Sequence, residues 1–201
     1  INAITIKEGD ELLEAKLTTG ESQVMLALKS GKAIRFEEAK TRPMGRNASG
    51  VRGITLSNDN DEVIGMISVN DMENNILVVS ENGFGKRSSL EDYRITNRGG
   101  KGVKTISITE KTGDLVSIKN VCDEDDLMII NKSGIAIRMA VEDLRVMGRA
   151  TQGVKLINLK PSDSIAAVAK VMKEEESAGE LNSETISQVN EISGDELQNE
   201  N

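Results

Sequence analysis

The hydrophobic residues of the chain occur in short runs. Runs of four to six residues, rich in Ile, Val and Leu, alternate with turns that contain glycine or several Asn, Asp and Ser residues. Such runs are too short for stable helices, and their composition favours β-strands. In the run KAIRF, Ile34 and Phe36 fall on the face opposite to Arg35, because successive side chains of a strand alternate between its two faces. The pattern predicts an all-β fold.

One unit of sequence occurs three times. The segment VMLALKSGKAIRF begins at Val24, and related segments begin at Ile76 and Leu127, at offsets of 52 and 51 residues. Part of a preceding unit is present at the N-terminus, where Ile4 matches Ile54 of the first full unit. The repeat predicts a half unit at 1–17 and full units at 24–69, 76–121 and 127–172, followed by a tail at 173–201.

Each unit is predicted to form four short strands, and therefore one blade of a propeller-like array. The chain then holds three complete blades and half of another. A parallel β-helix is the alternative repeat architecture, but its coils are shorter than the 51 or 52 residues of this repeat. The array of four-stranded blades is thus the predicted architecture of residues 1–172.

Charge is distributed unevenly along the chain. The tail holds nine acidic residues and one lysine, which accounts for the net charge of −8, whereas residues 1–172 are neutral as a whole. The tail also has few bulky apolar residues, and this composition predicts disorder. The acidity of the whole chain therefore does not exclude nucleic acid as a partner of the first 172 residues.

The composition excludes several kinds of catalytic site. The chain has no histidine, and Cys122 is its single cysteine, so it offers neither a disulfide framework nor a Ser-His or Cys-His nucleophile. Acidic turns at 59–62 and 123–126 contain candidate ligands for a weak Ca²⁺ site, but solvated turns are the favoured interpretation. We therefore predict no catalytic residue, no metal ligand and no cofactor in this segment.

The cellular setting follows from what the sequence lacks. No apolar run reaches the roughly 18 residues of a membrane span, and the first twenty residues have no signal pattern. A cytoplasmic protein with no membrane partner is expected. Since the first residue is Ile1 and not Met, we expect the segment to belong to a longer polypeptide.

Basic residues recur at equivalent places in the three units. Four positions carry Arg or Lys in every unit, and Lys101 adds one more cation to the second. They are Arg35, Arg87 and Arg138; Arg42, Arg94 and Arg145; Arg46, Arg98 and Arg149; and Arg52, Lys104 and Lys155. Three of these positions lie in or beside a glycine-containing loop, whose free N–H groups suit phosphate oxygens. A lone arginine at a strand end is usually a solvated surface group, but equivalent loops of repeated blades share one rim. The sequence therefore predicts a curved basic band.

Duplex DNA is the ligand that such a band fits best. Its backbone presents a regular series of phosphates, and bending it requires contacts spread over many base pairs. Three aromatic residues in the whole chain provide little stacking surface for single-stranded DNA or RNA. No recognition helix is visible, so binding without sequence specificity is predicted.

The loops resemble the C-terminal domain of the A subunit of DNA gyrase. The resemblance covers residues 1 to about 172 and is carried by three stretches: GKAIRFEEAKTRPMGRNASGVRGI (31–54), YRITNRGGKGVKTI (93–106) and EDLRVMGRATQGVKLI (142–157). It implies a β-pinwheel that wraps duplex DNA and supports ATP-dependent negative supercoiling by the holoenzyme. The implied partners are duplex DNA and the remainder of the A subunit, with the B subunit, in a heterotetramer. Catalysis and the use of ATP and Mg²⁺ are implied to lie outside this segment, in an enzyme of the bacterial cytoplasm that is associated with the chromosome.

The family's signature, the gyrase A box, has the form QRRGGKG and lies in its first blade. Here TN replaces QR, and the box-like copy consists of Arg98, Gly99, Gly100, Lys101 and Gly102. The resemblance therefore implies that the true box lies upstream. Tyr93 falls in the repeated unit, aligned with Thr41 and Leu144, so a packing or rim position is expected for it and no catalytic role.

Two alternative functions remain at this stage. The related domain of the A subunit of topoisomerase IV positions DNA without wrapping it as strongly, and the RGGKG copy favours gyrase over it. A protein-binding propeller scaffold is the other alternative, although few aromatics are available to anchor a partner. For the acidic tail, the resemblance implies modulation of wrapping, and a purely solubilising role is equally consistent with its composition.

Overall fold

The structure, a computed structural model, describes residues 2–172. The described part contains eleven β-strands and two short 3-10 helices, at Glu38–Lys40 and Leu90–Asp92. The strands are β1 (Gln23–Leu28), β2 (Lys32–Glu37), β3 (Val63–Val69), β4 (Asn75–Ser80), β5 (Phe84–Ser89), β6 (Val103–Lys104), β7 (Leu115–Val121), β8 (Asp125–Asn131), β9 (Ala136–Ala140), β10 (Val154–Lys155) and β11 (Ile165–Met172). The all-β prediction is confirmed. The disorder predicted for 173–201 concerns residues outside the described range.

The strands form three antiparallel sheets, one for each repeat unit. Their strand orders are β3-β1-β2-β6, β10-β5-β4-β7 and β11-β8-β9. The predicted half unit forms no strand: residues 2–22 are turns and irregular structure. In the array, each sheet is one blade; the first two blades have four strands each, and the third has three within the described range instead of the four that the repeat predicted.

The fourth strand of a blade comes from the next repeat unit. The second unit contributes β6, which pairs with β2 of the first unit through Ala33 and Val103. The third unit likewise contributes β10, which pairs with β5 through Gly85 and Val154. A sequence unit and a blade are therefore offset, whereas the repeat alone predicted that they coincide. Since each unit completes the blade before it, adjacent blades are interlocked through backbone hydrogen bonds.

The hydrophobic core lies between the blades. On β4, Ile76 and Val78 pack into the cluster shared with the first blade. Leu77 and Val79 face the other way, into the cluster shared with the third blade. The period-two alternation of the sequence therefore sorts apolar residues between two cores and leaves neither face of the middle blade to solvent.

Tyr93 occupies the core between the first two blades. Its side chain is 1% exposed, and its hydroxyl is hydrogen-bonded to the Thr105 hydroxyl. Burial raises the pKa of the phenol. The sequence allowed a packing or a rim position for Tyr93, and the structure places it in the core; its burial is incompatible with attack on a bound substrate.

Glycine is required where β6 and β10 pair with the preceding blade. Gly102 and Gly153 have φ angles of 69° and 82°, in the left-handed region. A Cβ atom on Gly102 would lie 2.6 Å from the Ala33 carbonyl oxygen, and one on Gly153 would lie 2.5 Å from the Gly85 carbonyl oxygen. The glycine-containing loops were predicted to offer free N–H groups to phosphate, but at these two glycines the surface approached is the protein's own backbone.

We expect Gly153→Ala to destabilise the fold more than Gly20→Ala. Both residues have positive φ, but a Cβ on Gly20 meets no atom within 4 Å. The control therefore incurs the cost of the left-handed conformation alone, about 1 kcal/mol, whereas Gly153→Ala must also displace a backbone carbonyl, for a total of roughly 2–4 kcal/mol. Denaturant unfolding measures both values, and equal losses would contradict the packing role of Gly153.

Candidate nucleic-acid interface

Three equivalent loops carry most of the predicted DNA-binding residues. We call residues 42–52, 94–104 and 145–155 the first, second and third rim loops. The second and third rim loops are fixed to the preceding blade at the same place. Thr96 donates its backbone N–H to the Arg35 carbonyl, and Met147 donates to the Arg87 carbonyl, each at 2.8 Å. The repeat therefore reproduces the position of the loop as well as its sequence.

Successive rim loops are joined in series by one recurring hydrogen bond. Ile4, Ile54 and Ile106 occupy the same position of the repeat. The residue that follows each of them donates its backbone N–H to a carbonyl in the rim loop of the following unit. The bonds are Thr5 to Ala48 at 3.2 Å, Thr55 to Gly100 at 2.9 Å and Ser107 to Thr151 at 3.1 Å. The loops consequently lie side by side and form one continuous edge of the array.

The structure corrects the prediction for Arg35 and Arg87. Both are buried, with 4% and 7% of their surface exposed. Arg35 Nη1 donates to the Leu90 and Tyr93 carbonyls at 2.8 and 3.0 Å. Arg87 donates to the Leu144 carbonyl and forms an ion pair with Asp123. These guanidinium groups fasten a blade to the next unit, so they are unavailable to phosphate.

Arg138, the third residue at this position, has a different environment. Its side chain is 43% exposed, and its Nε donates to Asp126 Oδ2 at 2.7 Å. The described residues include no unit beyond the third, and hence no backbone carbonyls equivalent to those that hold Arg35. Its acidic neighbour makes Arg138 a weak candidate for a phosphate contact.

Arg98 and Arg149 clamp the preceding rim loop while staying half-exposed. Arg98 donates to the Lys40 and Arg52 carbonyls at 3.1 and 2.7 Å. Arg149 makes the equivalent bonds to Asp92 and Lys104, at 2.9 and 2.8 Å. Carbonyl oxygens satisfy these N–H groups without neutralising the charge. Both residues therefore hold adjacent loops together and add positive potential to the same edge.

The remaining predicted residues are exposed and form no ion pair within residues 2–172. We call them the cationic track. Its members are Arg42, Arg46, Arg52, Arg94, Lys101, Lys104, Arg145 and Lys155. The ion pairs of the described range all involve other basic residues. An uncompensated row of cations on neighbouring loops is the arrangement that attracts a polyanion.

The box-like segment 98–102 uses its backbone mainly for packing. The Gly99 N–H donates to the Gly53 carbonyl at 2.6 Å, and Gly100 accepts the bond from Thr55. Gly102 lies against the preceding blade. Lys101 is the exposed cation of the segment. The glycines thus shape the loop, and Lys101 is the residue that it presents.

Lys86 is a residue of this region that was not predicted from the sequence. Its side chain is 1% exposed and lies beneath the third rim loop. Its Nζ donates to the Gly148 carbonyl at 2.6 Å and to the Thr151 hydroxyl at 3.0 Å. Comparison of the repeats contained the signal, because Lys86 stands where the other units have Ile34 and Ile137.

The acidic turns are organised as ordinary turns. Asp61 accepts hydrogen bonds from the Ser30 hydroxyl and backbone and from the Ser57 backbone. Asp125 accepts from the Cys122 backbone and pairs with Lys170 at 3.1 Å. Across residues 2–172, no group of three or more His, Cys, Asp and Glu side chains is placed to hold a metal ion. Nor does this range contain a helix long and apolar enough to cross a membrane.

The sequence matches a known family over all three blades. The family is described as "DNA gyrase C-terminal domain, beta-propeller", and it matches residues 24–70, 74–122 and 125–172. This chain belongs to that family. The three matched segments follow the three repeat units.

Relatives and solved structures agree with the family. The chain is 45% identical over 187 residues to the DNA gyrase A subunit of Staphylococcus aureus (strain MRSA252), covering 92% of this chain and 21% of that protein. The chain therefore spans about a fifth of the length of this relative. A solved DNA gyrase A C-terminal domain has a TM-score of 0.78 at 25% identity, covering 86% of this chain and 58% of that one. The C-terminal domain of DNA topoisomerase IV shares the fold, with a TM-score of 0.81 at 20% identity over 96% of this chain and 58% of that one.

We expect Arg35→Met and Arg87→Met to destabilise the fold, and Arg94→Met to leave stability nearly unchanged. The buried arginines leave backbone carbonyls unsatisfied when removed, which costs on the order of 2–4 kcal/mol each, whereas an exposed unpaired arginine contributes less than about 0.5 kcal/mol. Denaturant unfolding of the three variants checks this. A large loss of stability for Arg94→Met, or no loss for the other two variants, would contradict the assignment of Arg35 and Arg87 as buried structural residues and of Arg94 as an exposed member of the cationic track.

Proposed function

We propose that the chain binds duplex DNA without sequence specificity and wraps it along the cationic track, as the C-terminal domain of a DNA gyrase A subunit. The observation that carries the proposal is the series of rim loops, joined by one recurring bond, whose exposed cations have no acidic partner within residues 2–172. Each such cation gains a partner when a phosphate approaches, and the release of condensed counterions from the DNA drives the association.

A stiff array suits this function. Bending a site of 20–30 base pairs by 40–90° costs on the order of 1–6 kcal/mol, so the protein surface must resist the DNA's tendency to straighten. The pairing of β6 and β10 with the preceding blades, together with the hydrogen bonds of Arg98 and Arg149, fixes each loop to its neighbours. Phosphate contacts along this fixed edge then offset the bending cost.

The rest of the activity is assigned to the complete enzyme. The proposed partners are duplex DNA and the remainder of the A subunit, together with the B subunit, in a holoenzyme of the bacterial cytoplasm that supercoils the chromosome. ATP and Mg²⁺ are proposed to act in those other parts, and this segment is proposed to hold no catalytic residue or cofactor. The burial of Tyr93 in the core supports that division.

A topoisomerase IV C-terminal domain is the second candidate, because the same fold occurs there. That domain would position DNA along the same edge with less wrapping. The match to the gyrase C-terminal domain family and the 45% identity to a gyrase A subunit favour gyrase. A test of DNA topology separates the two candidates, since wrapping of defined hand changes the linking number.

We expect the full-length protein to trap positive writhe in duplex DNA. The protein is bound to a nicked circular plasmid, the nick is sealed with ligase, and the linking number is counted after deproteinisation. Wrapping gives a positive change that grows with protein concentration. Binding without a change supports a positioning role of the topoisomerase IV kind, and a failure to bind favours the protein-binding scaffold.

We also expect the binding constant to fall steeply with salt, by about 0.9 log units per log unit of salt for each phosphate contacted. Replacing Arg42, Arg94 and Arg145 by Gln together should lower the magnitude of the slope by about 3 and weaken binding to unrelated sequences alike. Lys132→Gln is the matched control, because Lys132 is exposed and lies outside the rim loops. An equal effect of the control, or a loss confined to one sequence, would count against the track.

A further inference from the structure

The buried ammonium group of Lys86 is the least ordinary feature of the interface. It projects from β5 toward the third rim loop, with the Gly148 carbonyl and the Thr151 hydroxyl as its hydrogen-bond partners at 2.6 and 3.0 Å. These two acceptors are neutral. A buried lysine without a carboxylate partner is costly, so a packing role alone would be filled better by an apolar residue.

The preceding junction between blades uses such an apolar residue. Ile34 stands at the equivalent position, and its Cδ1 atom lies 3.5 Å from the place where a Cβ on Gly100 would be. The second rim loop therefore rests on a methyl group, whereas the third rests on an ammonium group. The two loops share their backbone links to the preceding unit, so the ammonium is not needed merely to form the loop.

The charged groups facing Lys86 come from two elements. Asp92, in the 3-10 helix Leu90–Asp92, favours the protonated form, and Arg149, in the third rim loop itself, opposes it. Burial is the largest influence, and together with Arg149 it lowers the pKa of Lys86 to about 8. A small change in the local potential is then enough to change the average charge of Lys86 at pH values close to this pKa.

Building on the proposed DNA binding, we propose that Lys86 is a positioning residue that couples proton uptake to DNA binding at the third rim loop. Its ammonium group holds the Gly148 carbonyl and the Thr151 hydroxyl, and it lies beneath the loop that carries Arg145 and Arg149. A phosphate drawn to Arg145 and Arg149 brings negative charge close to Lys86 and weakens the repulsion between Lys86 and Arg149.

The direction of the coupling follows from linkage. Phosphate stabilises the protonated form, so the pKa of Lys86 is higher in the complex than in the free protein. DNA binding therefore takes up protons at pH values between the two pKa values. The gain in affinity is fully present below the free-protein pKa of about 8 and is lost as the pH rises through the higher value in the complex.

The test measures DNA affinity and proton uptake from pH 7 to pH 9 on the full-length protein. If the complex raises the pKa of Lys86 by one unit, the affinity of the unmodified protein falls roughly fivefold over this range. Calorimetry in buffers with different ionisation enthalpies counts the protons taken up. Lys86→Met removes both the hydrogen bonds and the charge. This variant is expected to lose the part of the pH-dependent affinity and the part of the proton uptake that come from Lys86.

Two further variants separate charge from packing. Lys86→Gln retains a side-chain N–H donor for the rim loop but cannot titrate, so it should lose the proton uptake as Lys86→Met does. Lys101→Gln removes an exposed lysine from the second rim loop and should weaken binding at every pH while retaining the pH dependence of the unmodified protein. Unfolding curves confirm that each variant is folded, and a structural role alone would not change proton uptake.

The outcomes distinguish this inference from the function on which it rests. If the unmodified protein binds DNA but Lys86→Met and Lys86→Gln show the same pH dependence and proton uptake, the coupling is refuted and DNA binding stands. Should the unmodified protein fail to bind DNA at any pH, the proposed function fails and the coupling with it.

Discussion

The pairing of strand edges between repeat units is the interaction on which the rest of the structure depends. A sheet edge exposes backbone N–H and C=O groups that must find partners. Here β2 and β5 find them in β6 and β10, which belong to the following units. Each of these short strands forms the end of a rim loop, so edge pairing also fixes the loop's position. Formation of a blade and placement of a rim loop are therefore one structural event.

Arginine has two structural settings in this array, and the position in the repeat decides between them. Arg35 and Arg94 both occupy repeated positions, yet Arg35 is buried against backbone carbonyls and Arg94 is exposed. A guanidinium group suits both settings, because its several N–H donors satisfy carbonyls inside the protein as readily as phosphates outside. Arg98 and Arg149 combine both settings, since they bind carbonyls while remaining partly open to solvent.

Much of the fold could be predicted from the sequence. The short apolar runs indicated strands, the repeat indicated the three blades, and the alignment of Tyr93 indicated a packing or rim position. The offset between unit and blade could not be predicted, because a repeat shows which residues are equivalent and not which neighbour they pair with. Burial of Arg35 and Arg87 was missed for the same reason, since the carbonyls that bury them lie in another unit. Lys86 was detectable as a lysine at an isoleucine position, but its two acceptors come from a distant loop.

Strand exchange also constrains how a gene for such a protein changes in length. Each repeat supplies the last strand of the blade before it, and its own blade is completed by the repeat after it. Removal or duplication of one whole period of 51 or 52 residues therefore leaves every such strand next to an equivalent sheet edge. A deletion of half a period would instead leave two blades incomplete. Evolutionary variation in blade number is therefore expected to proceed in whole periods, wherever in the repeat the recombination joint falls.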